Sequence, residues 1–245
     1  MRSTVGLTYV EVLVAAALVT LVLMLALVML SMMGRANGGP SRTGTAVRGI
    51  HQGLVIFAQG NRLGDDAGFY PGLEADGELY EDGTLTRYAP EGASYVAAEA
   101  NLIDNVFAML LDGNYFVPDY AVHQADPDIE EDDDGIIDAS TDISFAILRY
   151  DHPELRGEWA ETINTDAIVL ADRPLAGTAT NPQSVWSGAG HPWKGMVARN
   201  DGSTQFEQDA AFTGLRYGDS AAFDTANIFS PDYGVGTDRG QLFWE

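Results

Sequence analysis

Three groups of residues in this chain have types and spacing that bear chemistry. The first is one carboxylate in an apolar setting. Glu11 is the only charged residue between Arg2 and Arg35, and it heads the run Val12–Met33, 22 residues without charge, Gly or Pro. About 20 apolar residues carry a helix across a bilayer. A carboxylate costs ~2.5–3.5 kcal/mol at the centre of such a helix and less near an end, so Glu11 calls for a partner of opposite charge.

The second group is an acidic run. From Asp126 to Asp142 the chain reads DPDIEEDDDGIIDASTD, with nine acidic residues and no basic one. Glu130, Asp132, Asp134, Gly135, Ile136 and Asp138 follow the D-x-D-x-D-G-x-x-D spacing of a calcium loop, with Glu in the first slot. Alternating carboxylates on a tight loop converge, the Gly permits the turn, and the next residue, Ile136, offers a backbone oxygen. The bidentate Glu of an EF-hand is missing: Thr141 stands there, and the flanks do not read as paired helices. The residues fit an isolated calcium loop or a solvated acidic loop.

The third group is His191 with Asp201-Gly202, with nine residues between the His and the Asp. Asp-Gly between Val197-Ala198 and Thr204-Gln205-Phe206 is a hairpin signal and predicts a type I′ turn. His191 reads either as a metal ligand or base, or as a structural residue tying the loop Trp186–Pro192 to the sheet. With no second His within twenty residues, the structural role is the expectation, and the equally isolated His51, His123 and His152 read as surface or capping residues. Trp159, Trp186 and Trp193 read as packing residues.

No catalytic constellation accompanies these groups. The sequence lacks G-x-S-x-G, H-E-x-x-H and a phosphate-cradling Gly-rich loop, so a non-enzymatic protein is expected. There is no cysteine, which excludes disulfides and thiolate metal sites. A net charge of −23, from 36 acidic and 13 basic residues, disfavours nucleic acid and anionic headgroups as partners.

These residues need elements to position them. The apolar run is too long for a secretory signal, whose apolar core is about 7–15 residues, and Ser31-Met32-Met33-Gly34 is a poor cleavage site. After the breaker Asn37-Gly38-Gly39-Pro40, the residues Val47, Ile50, Leu54, Phe57 and Ala58 recur at helical steps, while Arg48, Gln52, Gln59 and Arg62 fall elsewhere. A single, interrupted helix from about Leu7 to Asn61 is expected, membranous over 7–34 and amphipathic over 35–63. A second amphipathic helix is expected over Tyr95–Leu111, closed by Asp112-Gly113-Asn114. Strands are expected at Ile143–Tyr150, Ala167–Ala171 and on either side of Asp201-Gly202, and sheet or lid elements near Phe223, Ile228-Phe229 and Leu242-Phe243-Trp244. Helices first and strands later is an α+β order, with a globular body over 64–245.

Gly6-Leu7-Thr8-Tyr9-Val10-Glu11 and the span after it resemble the type IV prepilin and pseudopilin family. Val47–Asn61 followed by Phe69-Tyr70-Pro71, the stretch ending Ala171-Asp172-Arg173, and His191 with Asp201-Gly202 are similar to its H-X9-DG, planctomycete-type subfamily. The likeness covers the first 70 residues and roughly 165–207. Leu7 in place of the usual Phe or Met, and Arg199-Asn200 before Asp-Gly, depart from the pattern.

The resemblance implies a pilin-like fold, with the long helix packed on an antiparallel sheet. It implies a leader, residues 1–6, removed after Gly6 by a prepilin peptidase that methylates Leu7. It implies a single-pass protein of the bacterial inner membrane whose body is periplasmic or in an extracellular filament. Arg2 favours this orientation, whereas Arg35, Arg42 and Arg48 pull the other way. The implied partners are membrane lipid and other pilin or pseudopilin subunits, Glu11 meeting the amino group of Leu7 on a neighbour. The expected function is a structural subunit of a pilus-like or secretion filament. The alternative is an anchored calcium- or ligand-binding module that never polymerises.

Overall fold

The amphipathic stretch after Pro40 is helical, and its apolar stripe is its buried face. The computed structural model describes residues 40–62, 68–74, 76–79, 102–123, 125–127, 129, 142–178, 181–187, 191–217, 226–229 and 242–243. The expected leader 1–6 with Gly6, the expected span 7–34 with Leu7 and Glu11, and residues 130–141 of the acidic run lie outside them. Among the described residues no helix is long and apolar enough to cross a membrane. The chain divides into two compact units, Met1–Arg42 and Thr43–Glu245, and the second holds the core, the strands and the polar clusters.

Helix α1 covers 40–60. Val47, Ile50, Leu54, Phe57 and Ala58 are buried, while Arg48, Gln52, Gln59 and Arg62 are exposed. This is the separation that steps of three and four residues dictate. The helix joins the same hydrophobic core as the strands, so residues 43–60 belong to the body. A side chain at Gly68 would collide with the Ala58 carbonyl, so the returning chain passes directly against the end of α1.

Helix α2 is Leu102–Asp112, with Ile103, Val106, Phe107 and Leu110 buried. It ends where Asn114 adopts φ 54° and the Tyr115 amide reaches back to the Leu110 carbonyl at 2.9 Å. Asn tolerates this left-handed conformation better than most residues, which makes it a natural terminator. The segment after it packs on two glycines of α1. A side chain at Gly49 would strike the Tyr120 ring, and one at Gly53 would press on Tyr115 and Phe116.

The strands are β1 (Phe145–Leu148), β2 (Ile168–Asp172), β3 (Ala176–Thr178), β4 (Asn181–Gln183), β5 (Gly195–Arg199), β6 (Thr204–Glu207), β7 (Ala211–Phe212), β8 (Ala226–Asn227) and β9 (Leu242–Phe243). Five of them form a sheet in the order β6-β5-β2-β1-β9, antiparallel at every pairing. Strands β3 and β4 form one two-stranded sheet, and β7 and β8 another. A one-turn helix, α3 (Pro153–Arg156), follows β1. The class is therefore α+β, as the order of elements predicts.

All of β1 and β2 is buried, and β5 is buried except Arg199. A strand covered on both faces is apolar along its length rather than alternating, which is how FAIL and IVLA read. Helix α1 supplies cover near β5 and β6: Gly44 lies against the Met196 side chain, Arg48 donates to Thr204 Oγ1 at 3.2 Å, and His51 lies 3.7 Å from a Cβ built on Gly202.

Candidate functional site

The hairpin between β5 and β6 forms as expected, but its turn is different. Gly202 has φ 81°, whereas Asp201 is not among the positive-φ residues. The Gly202 amide donates to the Arg199 carbonyl at 2.9 Å, and the Arg199 amide to the Ser203 carbonyl at 3.0 Å. This is a three-residue loop, a type I turn closed by a left-handed glycine, rather than the two-residue type I′ turn. The first residue of the loop is Asn200. It is buried, and its amide donates to the Ala167 carbonyl at 3.0 Å, just beyond an irregularity in the β2–β5 register between Ile168 and Leu170.

Asn200 is the centre of a polar network inside the core. Its Oδ1 accepts from the Tyr70 hydroxyl at 2.7 Å. Its Nδ2 donates to the Glu158 carbonyl at 2.7 Å, to Glu158 Oε2 at 3.3 Å and to Thr162 Oγ1 at 2.7 Å. Thr162 in turn donates to Glu158 Oε2 at 2.6 Å, and Asn164 Nδ2 to Glu158 Oε1 at 2.8 Å. The network supplies donors to a carboxylate removed from water, which is what makes such a group tolerable inside a protein. Burial, with the nearby charges of Glu161 and Glu158, pushes the Tyr70 hydroxyl upward, so it stays protonated and donates.

Tyr70 belongs to the turn Tyr70-Pro71-Gly72, and that turn is seated on Trp159. The Tyr70 amide donates to the Trp159 carbonyl at 3.0 Å, and the indole N–H to the Pro71 carbonyl at 2.7 Å. The Tyr70 ring meets Trp159 edge-on with centroids 5.3 Å apart, and Tyr150 stacks on the same indole at 5.2 Å. Gly72 has φ 97°, and a side chain there would strike the Tyr150 hydroxyl, so only glycine fits.

His51 on α1 lies beneath the turn. It is buried, edge-on to Tyr70 at 6.3 Å, and its Nε2 has no hydrogen-bond partner. Burial lowers its pKa, opposed by the Asp201 charge, so the imidazole is biased to the neutral form. The expectation of a surface or capping residue is corrected for His51: position 51 falls on the buried arc of α1 with Val47, Ile50 and Leu54. His123 is buried as well, with Nδ1 accepting from the Ala125 amide at 3.0 Å. His152 precedes α3, and its carbonyl accepts from the Leu155 and Arg156 amides at 3.0 Å.

The Ala171-Asp172-Arg173 stretch forms a second polar cluster, at the far end of β2. Arg173 is held by Asp126 in a buried two-pronged pair, Nε to Oδ2 at 2.9 Å and Nη2 to Oδ1 at 3.1 Å. Asp172 Oδ2 accepts from Trp186 Nε1 at 2.7 Å and from the Met196 amide at 2.8 Å. The Trp193 indole donates to the Asp172 carbonyl at 3.2 Å. The start of the acidic run, Asp126, is thereby fixed to the sheet. All three Trp residues predicted as packing elements, Trp159, Trp186 and Trp193, are hydrogen-bonded as well.

His191 is exposed and has no hydrogen bond or ion pair among the described residues. Among the described residues no hydrogen bond from His191 ties the Trp186–Pro192 loop down. That role falls to Ser184, whose hydroxyl donates to the Lys194 carbonyl, to Ser187, whose hydroxyl donates to the Pro192 carbonyl at 2.8 Å, and to Trp186. Of the motif residues, Asp201 and Gly202 are brought together with Tyr70 and His51, whereas His191 stands apart from them. Among the described residues no group of three acidic or imidazole side chains is placed to hold a metal. The predicted calcium ligands Glu130, Asp132, Asp134, Ile136 and Asp138 lie outside those residues. Glu158 and Asn200 were not predicted; a signal existed in the polar Asn200 between an apolar strand and a turn.

Comparison with family models, with curated proteins and with solved structures finds no match to this chain.

Proposed function

We propose that this chain is a structural subunit, a pseudopilin or minor pilin, of a type IV pilus-like or secretion filament assembled from the inner membrane. The observation that carries this reading is Gly6 followed five residues later by Glu11 at the head of a charge-free run of 22 residues. Cleavage after Gly6 would create an amine on Leu7 that can neutralise Glu11 of a neighbour. In an apolar setting that pairing offsets the buried charge and selects one stagger between helices. Two features of the body are in keeping with it: an amphipathic helix packed into the core of an antiparallel sheet, and a Tyr70-Pro71 turn held by the residues around Asp201-Gly202.

The polar clusters of the body are buried and hydrogen-bonded, which suits a mechanically loaded subunit better than a catalytic cleft. Mass spectrometry of the protein from its native cell tests the proposal. A mature N-terminus at Leu7 carrying a methyl group is the expected result, and an intact Met1–Gly6 overturns it. Glu11→Val then separates a filament subunit from an anchored calcium- or ligand-binding module. The variant should still insert into membranes but fail to assemble, whereas a non-polymerising module would be indifferent.

A further inference from the structure

Glu158 draws inward two residues that stand on either side of a third. Thr162 Oγ1 donates to Glu158 Oε2 at 2.6 Å, and Asn164 Nδ2 donates to Glu158 Oε1 at 2.8 Å and to the Arg216 carbonyl at 3.0 Å. With both neighbours held inward, Ile163 between them is turned outward. It has φ 55° and is 75% exposed, the most exposed of the large apolar side chains described. A β-branched residue fits that left-handed backbone badly; Gly, Asn or Asp is the natural occupant. Strain of this kind persists only where the surroundings over-determine it, as the bonds to Glu158 do here. Little of it is offset by burial of Ile163 within its own chain.

The charges around this outward residue balance. Arg199 Nη1 donates to the Thr165 carbonyl at 3.3 Å and the Arg216 amide to the Asp166 carbonyl at 3.3 Å, so both cations border the turn. Glu161 and Asp166 flank it in the chain; Glu161 is paired with Arg62, and Arg199 lies 3.8 Å from Glu207. The Arg216 side chain is exposed and makes no hydrogen bond or ion pair among the described residues. The whole chain carries −23, so two copies repel one another in general. At this turn the repulsion is relieved, and Arg216 is free to take a carboxylate from the acidic surface that a second copy offers.

We propose that Ile163 and Arg216 form a contact knob for a second copy of this chain: Ile163, held outward by the bonds to Glu158, enters an apolar recess of the neighbour, and Arg216 pairs with a carboxylate beside it. A side chain fixed before contact loses little freedom on docking, which is what a strained and anchored turn provides. That the neighbour is another copy rests on the filament reading, whereas the outward Ile163 is a property of the body alone.

The chain has no cysteine, so Ile163→Cys gives the full-length protein a single thiol for a benzophenone maleimide in its native cell envelope. Irradiation should yield an adduct of twice the subunit mass, about fivefold or more above the yield from Val117→Cys, a control at another exposed apolar position. Adding Arg216→Glu should lower the yield from position 163 by about fivefold or more. Equal yields from 163 and 117, a yield unmoved by Arg216→Glu, or adducts only within one chain or with a different protein overturn the contact. Ile163→Gly should raise the melting temperature by a few degrees, because Gly accepts φ 55° and little burial is lost. A lower melting temperature would show that Ile163 serves its own fold, and the knob would fall. The N-terminus is read on the same sample. A methylated Leu7 without the double-mass adduct overturns the contact and leaves the filament reading standing, whereas the adduct on an unprocessed chain supports the contact and overturns the filament reading.

Discussion

The Tyr70 hydroxyl donates to Asn200 Oδ1 at 2.7 Å, across 130 positions of sequence. This one bond joins the turn after α1 to the hairpin between β5 and β6. Asn200→Ala removes the acceptor of Tyr70 and a donor to Glu158 and Thr162, leaving several buried groups unpaired. A loss of about 2–4 kcal/mol of stability is expected, against about 1–2 kcal/mol for Tyr70→Phe. Urea unfolding of the two single variants and the double one measures this. The double variant should fall short of the sum, because both changes break the same bond.

Gly72 and Gly157 form a matched pair for a backbone test. Gly72→Ala forces a side chain into φ 97° and into the Tyr150 hydroxyl, while nothing lies within 4 Å of a Cβ at Gly157. Gly72→Ala should lower the melting temperature by several degrees, and Gly157→Ala should leave it within about a degree or two. Equal shifts would show that Tyr150 does not hold the Tyr70-Pro71-Gly72 turn in place.

The Asp126–Arg173 pair is buried on both sides. Arg173→Met strands a carboxylate in the core and should cost about 3–5 kcal/mol by denaturant titration. Asp126→Leu combined with Arg173→Met should recover much of that loss, since the buried ion pair is then removed as a unit.

His51 makes stability acid-sensitive. Its folded pKa is lowered by burial, so between that value and the ordinary 6.5 the unfolded chain binds more protons. The stabilisation is complete above pH 6.5 and is lost as pH falls below it. His51→Gln should flatten this acid limb in chemical unfolding between about pH 7 and pH 5. Asp172 acts in the opposite sense: its raised pKa gives stability that is greatest in acid and lost as pH rises through about 7.

The acidic loop has its own test. If Glu130, Asp132, Asp134, the Ile136 carbonyl and Asp138 gather a cation, millimolar calcium should raise the melting temperature, and Asp132→Asn with Asp134→Asn should abolish the rise. Magnesium should do less, since it resists giving up its water. An unchanged melting temperature with calcium would identify 130–138 as a solvated acidic stretch.

The sequence by itself determined what depends on neighbours along the chain. The buried stripe Val47, Ile50, Leu54, Phe57 and Ala58, the end of α2 at Asp112-Gly113-Asn114, and the apolar strands β1, β2 and β5 follow from periodicity and local turn preference, which act within a few residues. The tertiary structure decided what depends on partners far away. Only there does Asn200 turn inward to Tyr70 and Glu158, His51 pass from a surface expectation to the buried face of α1, and Asp172 acquire Trp186 while losing Arg173 to Asp126. A polar residue carries the same signal in sequence whether water or a distant side chain satisfies it. Its partner, and hence its protonation and its role, is settled when folding removes the water.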